Sequence, residues 1–321
     1  MTLQYVLDAM DLLDGWTTGD DVAQYLRGLG LHATVEPVES PTGRTDFVSV
    51  LVPGKAGRSS GGTSRTTGIV GRLGGIGARP AVTGMVSDAD GAVAALACAA
   101  KLARMAQRGD VLDGDVRIAT HICPDAPTEP HDPVPFMGSP VPIATMNEHE
   151  IHEEMDVVMS VDTTKGNRLV NHKGIALTMS VVEGWIAPLS DTLLDLMQNV
   201  TGLAPVIMPL STYDITPYGN GLPHVNSIVQ PAVATAAPVV GVAVTSVVPV
   251  PGCASGANHP VDIALAATLC IEVAKAMAND SFDVLDRSAL ERARELYGSM
   301  DHLQAGQPTK EHRPTADHRS H

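Results

Sequence analysis

Short runs rich in Val and Ile alternate along this chain with longer Ala- and Leu-rich stretches of helical periodicity. The runs are "DVRIATHICPD" (115–125), "MDVVMSVDTT" (155–164), "GIALTMSVVEG" (174–184), "APVIMPLST" (204–212) and "PVVGVAVTSVVPVPG" (238–252). Several are apolar at successive positions, as strands covered on both faces are. Helical patterns lie between or after them, at 90–107, 190–200, 261–279 and 287–298. This alternation predicts an α/β fold, with helices on both faces of a mixed sheet of about six to eight strands.

The same pattern predicts a single α/β domain over residues 1–300. Two helices are expected within residues 1–30, near 3–13 and 20–28, packed on an outer face of that domain. Residues 301–321 are polar and His-rich without apolar anchors, so we expect them to form a disordered tail.

Charge and cysteine usage narrow the class of protein. The chain has 36 acidic residues against 21 Lys and Arg, for a formal net charge of −15. This balance disfavours nucleic acids and anionic membranes as partners. No apolar run reaches the roughly 18 residues of a membrane span, and the acidic amphipathic start does not have the pattern of a signal peptide. The 4 cysteines are too widely spaced for a zinc finger or a disulfide framework, so we expect a reduced, cytoplasmic protein.

Polar side chains follow several of the predicted strands at the point where each strand ends. In sheets covered on both faces, ligands bind beyond the carboxyl ends of the strands. The residues found at these ends are Arg72, His121, Cys123, Asp125, Asp162, Thr163, Lys165, Asn167 and His259. Structural roles are also open: Asp162 can cap a turn, His121 can be a buried core imidazole, and Cys123 can be a small buried apolar residue.

Two acids, Asp88 and Asp90, stand directly before Gly91 and the helical pattern at 90–107. An Asp at the start of a helix caps free backbone N–H groups and complements the positive end of the helix dipole. Capping accounts well for one of the two acids. The other interpretation is that one carboxylate points away from the helix, toward a metal ion or a substrate at the rim of the sheet.

Three stretches resemble the dizinc aminopeptidase superfamily. "GMVSDADGAVAALACAAKLARM" resembles the segment in which an Asp bridges two metals before an Ala- and Leu-rich helix. "DVVMSVDTT" resembles the strand that ends in a metal-binding Asp, and "NHPVDIALAATL" resembles the context of the distal His. The resemblance implies a three-layer α/β sandwich with a mixed, mostly parallel central sheet. It also implies Asp88 as the bridging ligand, Asp162 as a terminal ligand and His259 as the distal His.

The chain departs from that superfamily at two motifs. Arg72-Leu73-Gly74 stands where the first metal-binding His is expected, and "HICPD" stands where a pair of Glu residues is expected. His121 or Asp125 is then left to complete the metal shell, and the other of the two to take the proton.

A second set of stretches resembles a bacterial family of unknown function, DUF1177. These stretches are "GRLGGIGARP", "VSDADGA", "THICPDAPTEPHDPVPFMGSP", "SVDTTKGNR" and "DITPYGNGLPHVNS". This resemblance covers nearly the whole chain except the tail. It implies membership of a family, but it does not imply a mechanism.

The leading hypothesis is a metal-dependent hydrolase that cleaves an amide bond of a small peptide or a cyclic amide through a metal-activated water. The expected cofactor is one or two divalent ions, zinc by the resemblance, and the candidate ligands are Asp88, Asp162, His259 and His121. The candidate acid–base residues are Asp125, His121 and Cys123. The candidate substrate-binding residues are Arg72, Thr163, Lys165, Asn167 and His224, of which Arg72 offers a two-pronged donor for a substrate carboxylate.

Two other classes of function stay open. One is a metal-free lyase or racemase, with Cys123 and Cys253 or His224 as acid and base. The other is a catalytically degenerate relative that binds a small ligand or assembles into oligomers. The expected partners are a small-molecule or short-peptide substrate and further copies of the chain, because exposed Ala- and Val-rich helices favour a homo-oligomer.

Overall fold

A computed structural model describes residues 1–72, 74, 76, 85, 87–130, 136–249 and 258–304. Its α-helices are α1 (Thr2–Leu12), α2 (Gly19–Gly28), α3 (Asp90–Gln107), α4 (Ile143–Glu150), α5 (Asp191–Thr201), α6 (Pro260–Ala276) and α7 (Arg287–Tyr297). Its strands are β1 (Ala33–Ser40), β2 (Gly43–Val52), β3 (Thr67–Gly71), β4 (Val116–Ile122), β5 (Thr128–Glu129), β6 (Phe136–Met137), β7 (Val157–Thr164), β8 (Gly174–Thr178), β9 (Ser180–Val182), β10 (Trp185–Ala187), β11 (Ile207–Met208) and β12 (Val239–Thr245).

Ten strands within the described ranges form one mixed sheet, and β5 and β6 form a separate ribbon. The order is β1-β2-β4-β3-β7-β12-β8-β11, with β9 beside β12 and β10 beside β9. The central strands β4, β3, β7 and β12 run parallel, whereas β2 and β8 join them antiparallel. The sheet is larger than the expected six to eight strands, because the polar edge strand β1 has no clear sequence signal and the strand predicted at 174–184 is divided into β8 and β9, which β10 then extends.

Helices and 3₁₀ turns cover the two faces of this sheet. On one face α1, α3 and α6 pack on one another, α5 packs on α6, and α2 packs on β1 and β2. Their apolar side chains form the larger core cluster. A second cluster fills the other face, under α4 and the 3₁₀ turns at Thr212–Ile215 and Gln230–Ala234. The predicted fold class, a three-layer α/β sandwich, is confirmed.

The N-terminus of α3 lies directly on the ends of two central strands. A Cβ atom at Gly91 would overlap the backbone oxygens of Arg72 and Val161, and one at Gly71 would overlap the backbone oxygen of Gly91. Glycine at both positions is therefore what permits this contact between main chains. The small side chains that follow in α3, mostly Ala, let α1 and α6 approach it closely, so that most of the helix is buried.

The connections around β3 create a crevice at the same edge of the sheet. From β3 the chain passes through α3 to β4 on one side, whereas β7 lies on the other side of β3. Gly71 at the end of β3 pairs with Thr120 of β4 and Val161 of β7. Such a reversal of strand order is where open α/β sheets bind ligands. The carboxyl ends of β3, β4 and β7 therefore meet beside the start of α3.

Among the helices of the described ranges, none has both the length and the apolar character needed to cross a membrane. The predicted tail begins with a 3₁₀ turn at Asp301–Gln304, and the side chain of Gln304 donates a hydrogen bond to the carbonyl of Ala232. The rest of the tail, 305–321, lies outside the described residues.

Candidate functional site

A cavity of about 260 Å³ opens beyond the carboxyl end of β7 and beside the start of α3. The described residues that line it are Asp88, Met137, Asp162, Thr163, Thr164, Lys165, Asn167, Val225, Asn226, Ser227 and Ile228. Five residues singled out from the sequence thus share one cavity, namely Asp88, Asp162, Thr163, Lys165 and Asn167. One wall comes from the end of β7 and the turn after it, and the opposite wall comes from residues 225–228.

Three buried carboxylates gather at this end of the sheet. Asp88, Asp90 and Asp162 are each at most 4% exposed. The Lys165 ammonium forms an ion pair with Asp88, and Asn258 donates its side-chain N–H to Asp90 at 2.5 Å. The N-cap position of α3 is an Ala that makes no side-chain capping bond. Asp88, which precedes α3, therefore lines the cavity, and Asp90, the first residue of α3, interacts with Asp88 electrostatically.

Burial is the main cause of raised pKa values in this group. It raises the pKa of Asp90 to about 8 and that of Asp162 to about 7, and the charge of Asp88 adds to both shifts. Lys165 opposes both shifts, and hydrogen bonds to each carboxylate oppose them further. Near neutral pH the cluster therefore holds protons that exposed carboxylates would have lost.

Arg72 is buried beside this cluster. Its guanidinium donates to Glu150 at 2.5 Å and to the side-chain oxygen of Asn147 at 3.0 Å. Burial alone would raise the pKa of Glu150, but Arg72 and His121 outweigh it and the pKa is lowered. The positive charge of Arg72 also acts on Asp162, where it opposes the rise in pKa. Arg72 thus contacts protein groups at the floor of the site and is not among the described lining residues.

His121 lies behind the same floor, with both ring nitrogens engaged by protein groups. The backbone N–H of Gly74 donates to Nε2 at 3.2 Å, so Nε2 accepts. Nδ1 then carries the proton and donates to Glu150 at 2.6 Å. The sequence selected His121 as a ligand or base, and the structure places it as a buried partner of Glu150.

The other two residues of "HICPD" also lie apart from the cavity lining described above. Cys123 is buried in a small apolar cluster with Ala126 and Met137. Burial raises the pKa of its thiol to about 11, which disfavours the thiolate that nucleophilic or acid–base chemistry requires. Asp125 is only partly buried and is not among the described lining residues. Cys253, the second thiol of the lyase hypothesis, lies outside the described residues.

The predicted distal ligand, His259, is exposed at the N-cap of α6. Its neighbour Asn258 reaches the acid cluster instead, through the hydrogen bond to Asp90. In the part of the chain that the structure describes, no group of three or more His, Cys, Asp and Glu side chains could hold a metal ion. Asp88 and Asp162 are therefore brought together, and His259 and His121 do not join them.

Buried polar side chains hold the 225–228 wall from behind. Asp214 accepts hydrogen bonds from the backbone N–H groups of Val225, at 2.5 Å, and Asn226, at 2.8 Å. Gln230 donates to the backbone oxygens of Asp214 and Thr216, each at 2.9 Å. Hydrogen bonds between these side chains and the main chain therefore support the wall.

His224 was expected to bind substrate, and it is not among the described residues that line the cavity. It packs against the ring of Tyr218, with the ring centroids 4.5 Å apart. Its nitrogens face the carbonyls of Leu222 and Thr216. It belongs to the loop that supports the wall.

Sequence reasoning missed three contributors to this region, which are Asn258, Glu150 and Gln230, and it did not decide between the two roles of Asp90. Asn258 had a usable signal, because it directly precedes His259. Glu150 and Gln230 lie in segments without a recognisable motif, so only the packing of α4 and of the 3₁₀ turn at Gln230–Ala234 brings them to the site.

Comparisons with known proteins give a family and a remote structural likeness. A family model described as "Protein of unknown function (DUF1177)" matches residues 36–307. No curated protein matches the chain. Among solved structures, the bottromycin maturation enzyme BotP is 17% identical, with a TM-score of 0.48, over 84% of this chain and 70% of that chain. A likeness at this level says nothing about activity.

Proposed function

We propose that this chain, which belongs to the DUF1177 family of proteins of unknown function, is a hydrolase that uses a divalent cation. Its substrate would be an amide bond of a small peptide or a cyclic amide. One observation carries the proposal: Asp88 and Asp162, from distant segments, place buried carboxylates in one cavity at the strand-order reversal. Ligands of open α/β sheets bind at this position. The substrate class comes from the sequence resemblance to dizinc aminopeptidases, which stays a prediction.

The donors in the cavity fit a cation that prefers oxygen ligands. Asp88 and Asp162 would hold it, with the residues Thr163 and Thr164 close by. Mg²⁺ is commonly bound by one or two carboxylates while water and substrate complete its shell, and Mn²⁺ also suits oxygen ligands. Zinc sites usually contain His or Cys, and neither residue is among the described lining residues. We therefore propose Mg²⁺ or Mn²⁺ in place of the zinc expected from the sequence.

The balance of charge also supports a bound cation. Asp88, Asp90 and Asp162 are buried together, and the ammonium of Lys165 forms an ion pair with Asp88. Repulsion from Asp88 contributes, after burial, to the raised pKa values of the other two acids. A cation near the cluster offsets such repulsion.

The residues of the cavity would have two roles: Lys165 would act on the substrate, and the apolar residues Met137 and Ile228 would exclude water. A divalent cation supplies Lewis acidity toward a carbonyl oxygen and lowers the pKa of water. Lys165 presents ammonium N–H donors to the cavity, so it can hold the substrate carbonyl. When water adds to the amide carbonyl, the Lys165 ammonium would give one proton to the departing nitrogen, and its amine would then take up the proton that the water releases. Met137 and Ile228 give the cavity its apolar part.

The first test measures cation binding by untagged protein. Calorimetry with MgCl₂, MnCl₂ and ZnCl₂ should show binding of at least one cation, and we expect Asp88→Asn and Asp162→Asn to weaken it tenfold or more, roughly the effect of losing one charged ligand. Asp125→Asn is the matched control, because Asp125 follows a neighbouring strand but is not among the described lining residues. The native protein should then be screened with dipeptides, aminoacyl p-nitroanilides and hydantoins.

Native protein that binds none of the three cations would contradict the proposal, and so would equal binding by all variants. Hydrolysis of the screened amides that persists in Asp88→Asn would contradict it as well.

A second candidate function is metal-free acid–base catalysis, as in a lyase or racemase. The observation in its favour is that Lys165 shares the cavity with Asp162, whose pKa burial raises to about 7. This pair would replace the cysteine and histidine pair suggested by the sequence. Activity that is unchanged in excess EDTA would favour this candidate over the cation-dependent one.

The proposed setting is a reducing compartment, the cytoplasm. Cys98, Cys123 and Cys270 carry free, buried thiols, which is in keeping with that setting. Assembly into a homo-oligomer stays a prediction.

A further inference from the structure

His224 directly precedes the cavity wall in the chain, and both of its ring nitrogens face oxygen atoms. Nδ1 is 2.9 Å from the backbone oxygen of Leu222. Nε2 is 3.2 Å from the backbone oxygen of Thr216 and 3.3 Å from its hydroxyl. That hydroxyl donates its own proton to the carbonyl of Tyr213 at 2.7 Å. Each nitrogen of the ring therefore meets acceptors.

The protonation state of the ring decides how many of these contacts are hydrogen bonds. A neutral imidazole has one N–H group, so it can donate to the carbonyl of Leu222 or to the carbonyl of Thr216 but not to both. The other nitrogen would then direct a lone pair at an oxygen. An imidazolium has two N–H groups and bonds to both residues at once.

The contacts of the His224 ring with Thr216 and Leu222 close a loop over residues 216–224, and the cavity wall follows this loop in the chain. Thr216 and Leu222 are joined through the ring, and the next residue after His224 is Val225, where the wall begins. The same ring supports that of Tyr218, whose backbone N–H donates to the side chain of Gln230 at 3.0 Å. Closing the loop therefore limits the movement of the wall.

We infer that His224 is a proton-dependent staple of the cavity wall. As an imidazolium it joins the carbonyls of Thr216 and Leu222 and holds the wall in the conformation described above. As a neutral imidazole it releases one of them, and the loop opens more often. Histidine ordinarily changes charge between about pH 5 and 8, so the wall is tight at the acid end of that range and looser at the alkaline end. This inference concerns the wall and is independent of the proposed reaction.

Other titratable groups lie on and around this loop, among them Tyr218, Asp214 and Asp162. Burial, followed by the charges of Asp162 and Asp214, raises the pKa of the Tyr218 phenol, so it stays protonated over the same range. Asp214 is fully buried and accepts backbone and hydroxyl hydrogen bonds from Ser211 and the wall. Asp162 lies across the cavity with a pKa that burial raises to about 7, so its titration must be separated from that of His224.

Hydrogen exchange measured by mass spectrometry tests the staple on the full chain. Exchange of the amides at 216–227 should be compared at pH 5.5 and pH 8, after correction for the intrinsic effect of pH on exchange. We expect opening at pH 8 to be about tenfold more frequent, which is roughly the effect of one hydrogen bond to a charged group. In His224→Gln, exchange should be fast at both pH values. The matched control is His32→Gln at an exposed histidine outside this loop, which should behave like the native protein.

Two further measurements keep the test decisive. Asp162→Asn should retain the pH dependence, because the staple does not need that carboxylate. Nitrogen-15 NMR of the native protein should show both His224 nitrogens bearing protons at pH 5.5 and one of them at pH 8, whether or not His224→Gln folds. Equal exchange at both pH values in the native protein would overturn the inference. So would pH dependence that disappears in Asp162→Asn, or a neutral His224 ring at pH 5.5.

Discussion

Replacing Asp90 with Asn should make the protein more stable, and the gain should grow with pH. Asp90 is buried, and its carboxylate accepts a hydrogen bond from Asn258 at 2.5 Å. Asn has the same shape and keeps an oxygen in that position. The substitution therefore removes the ionisation of the side chain while leaving most of its contacts.

The magnitude follows from the raised pKa of Asp90. Burial raises that pKa from 3.8 to about 8, so the folded protein keeps a proton that the unfolded chain has lost at intermediate pH. Stability therefore falls as the pH rises between about 4 and 8, by about 1.4 kcal/mol per pH unit for each such group. In Asp90→Asn this loss is absent. The difference in the free energy of unfolding should be near zero at pH 4 and on the order of 5 kcal/mol at pH 8.

Urea denaturation at intervals of one pH unit from 4 to 8 measures this difference. EDTA in every sample prevents a cation from neutralising the acid cluster. Asp195→Asn is the matched control, because it makes the same chemical change at an exposed position of α5. Its difference from the native protein should stay within about 0.5 kcal/mol, as for surface substitutions in general.

Two results would refute the reasoning. One is a difference between Asp90→Asn and the native protein that does not change with pH. The other is native stability that rises between pH 5 and 8 in EDTA, since that requires Asp90 to ionise more readily in the folded state. The change of the unfolding free energy with pH is a better test than its value at one pH, because each variant is then compared with itself.

Three further predictions concern packing and charge at the same edge of the sheet. Gly91→Ala should lower the free energy of unfolding, measured by thermal unfolding, by about 2 kcal/mol or more, because its Cβ would overlap the backbone oxygens of Arg72 and Val161. Gly28→Ala is the control, because there is open space around Gly28, and its free energy of unfolding should stay within about 1 kcal/mol of the native value. Lys165→Met should cost about 3 kcal/mol in urea unfolding, because it leaves the buried Asp88 carboxylate without its ammonium partner. Cys123 should remain unmodified by iodoacetamide at pH 8 until denaturant is added, as mapped by mass spectrometry, because it is buried and its pKa is raised to about 11.

The predictable parts of the fold are those with a strong local pattern. The helical pattern at 90–107 corresponds to α3, and the apolar run at 155–164 contains β7. The edge strand β1 is half exposed and contains two Glu residues and a Pro, so its composition does not indicate a strand. The helix α4 has no stripe of apolar residues strong enough to stand out from the Pro-rich segment before it. Both elements owe their structure to packing against distant parts of the chain.

Only the part of the site that follows from the topology of the parallel strands could be predicted from the sequence. Asp88 and Asp162 meet because the connections of β3 and β7 bring their ends together. His259 was chosen from the same logic, but the first residues of α6 direct Asn258 toward Asp90 and leave His259 exposed. The partner of Arg72, Glu150, depends on how α4 lies across β2 and β4, and sequence contains no local signal for that placement.

Because α3 contacts the sheet through the glycines Gly71 and Gly91, the dimensions of the cavity do not depend on the overall stability of the molecule. In most cores a layer of side chains lies between a helix and a sheet, and it adjusts its rotamers when a neighbour changes. At Gly71 and Gly91 the neighbours are backbone atoms, which cannot adjust in this way. The distance from the start of α3 to the end of β7 is thus fixed by strand pairing and covalent geometry. Substitutions in the outer helices can therefore change how readily the chain unfolds while the spacing between its acids stays constant.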